Sequence, residues 1–242
     1  MSRHVRNLAC IFLAAIGVCV LRLLIDHPPG GSLGLAWPDA TWIEFRRTAV
    51  LAAAIVGASL ALAGVLLQTM LRNPLASPFI LGVSSGAGLG LMVATWISFI
   101  TVGAAATIPG SGTVPALLGA LGALALVYAL GQRRGWPDPV ALVLVGVVVS
   151  TIAAGGMMFF QHLVPTGLRG AFTTWLMGSI PEVMSGWRLL LAGGLACVGT
   201  AACLRLAGAL DASLLGDDEA RSIGVALGPL RLQVLCIAGL LT

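Results

Sequence analysis

The stretch Gly57–Gly90 reads GASLALAGVLLQTMLRNPLASPFILGVSSGAGLG. It holds two apolar runs separated by Pro74 and Pro78. A proline pushes the residue before it out of the helical region, so Asn73-Pro74 and Ser77-Pro78 end one helix and delay the next. The runs extend outward from this break, from Thr48 to Leu71 and from Phe79 to Ile100. A helix needs about 20 predominantly apolar residues to cross a bilayer, and both runs meet that length. Small residues recur at four-residue steps, Gly57/Ala61 and then Gly82/Gly86/Gly90. Such a face lets a second helix approach closely. The segment predicts two membrane helices joined by a tight break, with Gly57 a packing position on the first and Gly82, Gly86 and Gly90 forming one packing face of the second.

The rest of the chain repeats the pattern. Hydrophobic residues make up 58% of the 242, charged residues only 9%, and mean hydropathy is +1.02. A soluble domain carries about 25% charged residues, so a soluble globular fold is excluded, and disorder with it. Further runs lie at Leu8–Ile25, Val114–Leu130, Val140–Phe160 and Leu189–Ala209, and a seventh starts near Leu230. The expected fold is an all-α polytopic membrane helix bundle forming one transmembrane domain over residues 1–242. It has about six complete spans and a truncated seventh. A helix from Leu230 to Thr242 covers only about 20 Å, so the chain is expected to be a fragment whose C-terminal helices are missing. The mildly apolar stretch Gln161–Trp187 suits a short interfacial or re-entrant helix. Arg3, His4 and Arg6 before the first run mimic a signal peptide. The run leads into Asp26-His-Pro-Pro-Gly-Gly with no small-x-small cleavage site, so it is read as a retained first span.

Charge narrows the function. All 13 basic residues are Arg and none is Lys. This chain therefore has no P-loop lysine and no Schiff-base lysine, and cannot by itself be a Walker-type ATPase. The net charge of +4 is scattered between apolar runs, with no stripe for nucleic acid. Cys10, Cys19, Cys197, Cys203 and Cys236 have no metal-type spacing, so no metal site is expected. A cytoplasmic N-terminus places Arg3, Arg6, Arg72, Arg133, Arg134, Arg205, Arg221 and Arg231 inside, against Arg22, Arg46, Arg47, Arg169 and Arg188 outside, the expected bias. The spans offer almost no ionisable groups for a proton or ion relay.

Three motifs have competing readings. Gly82-Val-Ser-Ser-Gly86 matches a nucleophile elbow around Ser84. That elbow needs a strand before the serine and a base, and His4, His27 and His162 have no evident orienting carboxylate. Leu215–Gly224, LGDDEARSIG, is either a solvated loop or a short helix. In the helical reading Asp217 or Asp218 caps it, Gly224 stops it in the left-handed conformation, and Ala220 and Ile223 form an apolar face for a partner's groove. Arg46 and Arg47 either snorkel at a helix end or meet an acidic partner.

Gln68–Gly90, with Arg-Asn-Pro-Leu-Ala-Ser-Pro and Leu-Gly-Val-Ser-Ser-Gly-Ala, resembles the permease family of iron-siderophore, haem and cobalamin ABC importers. Trp175-Leu-Met-Gly-Ser179 resembles the family's W-x-M-G-S, and Leu215-Gly216, Ala220-Arg221 and Gly224 resemble its cytoplasmic coupling loop. The resemblance implies a ten-helix, multi-pass inner-membrane permease, itself not an enzyme, that works as a dimer or pseudo-dimer with a second copy. It implies two ABC ATPase subunits that use ATP, no cofactor on this chain, and a periplasmic or lipid-anchored binding protein delivering a metal chelate, a ferric siderophore foremost. It places a cytoplasmic gate at Asn73 and Leu75. It places ATPase coupling at Gly216, Asp217, Asp218, Glu219, Ala220, Arg221, Ile223 and Gly224. Arg46 matches the first Arg of an R-x-P-R-like docking element, in which Thr48 and Ala49 stand where Pro and the second Arg would be, leaving Arg47 to take over. An inactive remnant or membrane scaffold is the alternative function, an intramembrane hydrolase using Ser84 a further one.

Overall fold

Apolar runs this long satisfy their backbone polar groups as helices, and the computed structural model of the chain is helical almost throughout. It describes residues 3–26, 34–35, 40–103, 112–133, 135–178 and 185–242. Expectations that fall on His27, Arg134, Ser179, the side chains of Arg3 and His4, or the loop at 104–111 lie outside the described residues.

The elements are α1 (Arg3–Leu24), α2 (Ala40–Leu71), α3 (Val83–Val102), α4 (Thr113–Leu130), α5 (Pro139–His162), α6 (Thr166–Leu176), α7 (Gly186–Leu214), α8 (Asp217–Ser222) and α9 (Leu227–Leu241). Two short antiparallel hairpins interrupt them. β1 (Ile25–Asp26) pairs with β2 (Gly34–Leu35), and β3 (Gln132–Arg133) pairs with β4 (Trp136–Pro137). Among the described residues, five helices are long and apolar enough to cross a membrane, at Trp42–Leu71, Val83–Val102, Thr113–Leu130, Pro139–His162 and Gly186–Leu214. Ala9–Leu24 and Leu227–Leu241 are shorter apolar helices. The first run, all but Ile25, lies within the 22-residue α1.

The chain divides into two compact units, Met1–Gly57 with Ile180–Gly194, and Ala58–Ser179 with Leu195–Thr242. In the first, α1 and the opening turns of α2 are joined by Arg46, whose Nη1 donates to the Leu23 carbonyl at 2.9 Å. Leu23 is in the last turn of α1, where carbonyls lack intrahelical partners.

The second unit holds two cores. The larger gathers Leu66, Leu67, Val127, Leu142, Val234 and Leu235, all essentially inaccessible, together with Ala220 from α8. The smaller packs Leu91, Met92, Val164 and Phe172, which seats α6 against α3 and stacks Phe172 on Trp175 with ring centroids 6.4 Å apart. α5 starts in register because Asp138 caps it, accepting from the Ala141 N–H at 3.0 Å with Pro139 following. Proline at the first helical position forgoes a donor that would be unpaired anyway.

Glycine sets how closely these helices approach. A Cβ on Gly86 would stand 2.6 Å from the Gly119 carbonyl oxygen, and one on Gly90 2.5 Å from that of Pro115. Gly119 of α4, where a Cβ would run into the Gly86 carbonyl, completes this close crossing of α3 and α4. The expected single face does not hold. Gly82 precedes α3 in the left-handed conformation (φ 73°), and a Cβ on it would point to α5, 3.2 Å from Ser150 Oγ. Gly57 meets no heavy atom within 4 Å. The sequence period was right for α3 and misleading on either side, because a 3-10 turn at Pro78–Leu81 breaks the phase between Gly82 and the helix before it.

Candidate functional site

The loop after α2 is built by a helix stop of unusual composition. The Arg72 N–H donates to the Thr69 carbonyl at 3.2 Å and the Asn73 N–H to that of Gln68 at 3.1 Å. This paired closure puts Arg72 where glycine normally stands. Its φ is 47°, the one positive value on a non-glycine residue among the described residues. The left-handed conformation costs an ordinary residue about 1–2 kcal/mol. Beyond it, Asn73 Oδ1 accepts from the Leu75 N–H at 2.9 Å, and the Asn73 carbonyl accepts from the Ala76 N–H at 3.0 Å. Asn73 therefore shapes its own turn. Leu75 is 85% exposed and projects from the turn.

The Arg72 side chain explains how its backbone is held. Nε and Nη2 donate to the Ser213 carbonyl at 3.0 and 2.6 Å, and Nη2 also donates to Asp217 Oδ1. Ser213 is in the last turn of α7, so the fork fills an orphan carbonyl. The same carboxylate receives Arg231 of α9, whose Nη2 lies 2.9 Å from Oδ1 and 2.7 Å from Oδ2. Three elements thus meet on Asp217: the end of α2, α8 and the start of α9. Burial pushes the Asp217 carboxyl upward. Hydrogen bonds and charge from Arg231, then Arg72, outweigh that and hold its pKa below the ordinary 3.8.

α8 follows from this placement. Asp217 does not cap the helix as expected, because its carboxylate is turned to the two arginines. The capping position is Gly216 (φ 142°), with no side-chain hydrogen bond. At the other end the expectation of a left-handed stop agrees with the structure. Gly224 has φ 89°, its N–H donates to Arg221 and that of Val225 to Ala220, at 3.0 and 2.9 Å. Ala220 is 0% exposed and faces the protein's own core. Ala220 is therefore not available to the expected docking face; of the pair only Ile223 is exposed, at 62%, among exposed Asp218, Glu219, Arg221 and Ser222. Arg221 pairs loosely with Asp218 at 3.4 Å.

The remaining candidates are separate. Arg46 is buried at 9% exposure and engaged with α1, which removes it from an open docking patch, while Arg47 is exposed. Ser84 follows a 3-10 turn rather than a strand, so the nucleophile-elbow geometry is not formed. No group of three or more His, Cys, Asp or Glu that could hold a metal occurs among the described residues. Sequence reasoning missed Arg72 and Arg231 as partners of Asp217, and Ser213 as the carbonyl that Arg72 also engages. Arginine directly before Asn-Pro, at a helix end that calls for glycine, was the available signal.

Long apolar helices with short polar junctions at their ends define an all-α, multi-pass membrane protein. The chain belongs to the FecCD transport family, whose model matches residues 10–242. It is 30% identical to the molybdate import system permease protein MolB of Haemophilus influenzae, covering 96% of this chain and 69% of that one. It is 34% identical to the achromobactin transport system permease protein CbrC of Dickeya dadantii, covering 90% of this chain and 59% of that one. A solved metal-chelate type ABC transporter in an inward-facing conformation matches 98% of this chain and 72% of its own, at TM-score 0.77 and 29% identity. The chain thus shares the fold of ABC transport permeases and spans about three fifths to seven tenths of their length.

Proposed function

We propose that residues 1–242 belong to the permease domain of an ATPase-driven importer that carries a metal chelate, a ferric siderophore, across the cell inner membrane. The N-terminus and the α8 end are cytoplasmic. The exposed side of α8, with Asp218, Glu219, Arg221 and Ile223, meets an ABC ATPase subunit, and ATP is bound and hydrolysed there, with no cofactor on this chain. Asn73 and Leu75 belong to the cytoplasmic gate. Arg47 contributes to docking of a periplasmic or lipid-anchored binding protein at the opposite face, and a second permease copy completes the pathway. Transport follows alternating access, in which two discrete arrangements are biased by the nucleotide state of the partner.

The observation that carries this reading is α8 itself. It is a six-residue polar helix between two apolar ones. Its inner side is anchored through Ala220 and its outer side offers one large apolar residue, Ile223, ringed by charge. An apolar contact with a polar surround is the usual make-up of a protein docking patch. The likeness to the solved metal-chelate type ABC transporter supports the cargo class, and Gln68–Gly90 resembles permeases of iron-siderophore, haem and cobalamin importers, a set that includes the ferric siderophore.

Uptake into proteoliposomes holding the natural gene product, its ATPase and its binding protein tests the proposal. ATP-dependent accumulation of radiolabelled ferric hydroxamate is the expected result. Accumulation of molybdate instead would replace the cargo and leave the permease. Uptake of neither, with no ATPase retained on the purified protein, would overturn both.

A further inference from the structure

We infer that Arg72 is a positioning residue that fastens the loop Asn73-Pro74-Leu75 to α8 through Asp217, so that a displacement of α8 turns the loop with it. The inference rests on the permease reading for what drives α8, but the fastening itself stands on geometry.

The loop has little else to hold it there. Asn73, Pro74 and Leu75 are all exposed, and the chain returns to the core only at Ala76 and Pro78. Asn73 hydrogen-bonds within its own turn. The contact that reaches α8 from this segment is the guanidinium of Arg72. It is a forked contact, two donors on Ser213 and one on Asp217, and a fork fixes orientation where a single ammonium would fix only distance.

The backbone of Arg72 makes the fastening directional. A residue held at φ 47° sets the angle at which the loop leaves α2. Glycine would adopt that conformation without strain. An arginine there is justified by what its side chain does, and its side chain runs to α8 and α7. Strain held in place by surrounding contacts characterises switch regions. Asp217 is in turn locked by Arg231, so α9 steadies the same carboxylate, and α8 has a second anchor in Ala220. Motion delivered to the exposed side of α8 therefore meets a body with one rigid arm toward Leu75.

The experiment labels both ends of that arm. Leu75→Cys and Ser222→Cys, both exposed, are introduced into the full-length transporter with its native cysteines replaced, and spin-label distances are recorded without nucleotide and after vanadate trapping, transport and hydrolysis being measured on the same variants without the label pair. In the parent the distribution is expected to be narrow and to keep its peak in both states. Arg72→Gly, which relieves the strained backbone and so should still fold, is expected to broaden it and to let the peak shift with nucleotide state. Asp217→Asn, of the same shape, should do the same, and Arg72→Lys should fall between. In these variants chelate moved per ATP should drop about fivefold or more, the lower range of a coupling free energy, while ATP hydrolysis persists. An unchanged distribution in Arg72→Gly would overturn the inference, as would a parallel loss of hydrolysis and transport, which marks a merely structural role. If Arg72→Gly broadens the distribution but the parent transports nothing, the fastening stands and the permease reading fails.

Discussion

Gly86 and Gly119 meet backbone to backbone: a Cβ on either would run into the carbonyl or side-chain atoms of the other helix. Apart from the Ala123 methyl, which cannot turn away, what a side chain on Gly86 would meet is the backbone of α4. Gly86→Val should therefore destabilise the protein by about 1–3 kcal/mol, the range for overpacking a tight interior. Gly57→Ala is the matched control. It has open space around it and an ordinary helical setting, so it should be neutral or gain up to about 1 kcal/mol from helix propensity. Thermal melting in detergent measures both, and equal losses would disprove the distinction.

Ala220 and Ile223 separate stability from partner binding. Ala220→Arg would place an unpaired charge in the core, a change that removes several kcal/mol. It should abolish expression of folded protein, visible as aggregation on size exclusion. Ile223→Arg should leave the elution profile intact and reduce retention of the ATPase. Normal folding of Ala220→Arg would contradict the burial of α8.

Asp217 predicts an acid-side effect. A carboxyl whose folded pKa lies below its unfolded value stabilises the fold above that value and loses the contribution as pH falls through the folded pKa. Asp217→Asn should melt earlier than the parent at neutral pH, by an amount worth about 1 kcal/mol or less given partial exposure. The two curves should converge once pH is well below the ordinary 3.8. A gap that stays constant down the pH series would mean the arginines do not depend on the charge.

Arg46 and Arg47 are adjacent and should behave differently. Arg46→Ala leaves the Leu23 carbonyl without its donor and should lower the melting temperature, at a loss of about 1–3 kcal/mol for a charge-assisted bond. Arg47→Glu should leave melting unchanged and weaken capture of the binding protein, read by surface plasmon resonance.

The spans were legible because hydropathy is local. The break at Pro74 and Pro78 gave the ends of α2 and α3 to within a few residues. α2 nevertheless starts at Ala40 rather than Thr48, since Glu44, Arg46 and Arg47 read as loop by polarity but continue the helix at a membrane end. α8 was legible as a short helix from its acids and Gly224. Which way it faced was not, because six residues give less than two turns and both Ala220 and Ile223 are apolar. The Arg72–Asp217 contact joins residues 145 apart. No periodicity encodes such a pair. A relation of that kind becomes visible only once the fold brings α2 and α8 to one place.

The start of α9 is gripped in two chemically opposite ways. On one side Arg231 grips Asp217 by charge. On the other the Trp136 ring of the β3–β4 hairpin lies across Gly228, with ring atoms 2.7 Å from where a Cβ would be. Dissolved ions screen the first grip, whereas sulfate and similar excluded salts strengthen the second. Sodium chloride and sodium sulfate at matched ionic strength therefore act on α9 unequally. The chloride loosens the Arg231 side alone, and the sulfate loosens that side while tightening the tryptophan side. The choice of salt thus weights the two grips on α9 differently without touching the sequence.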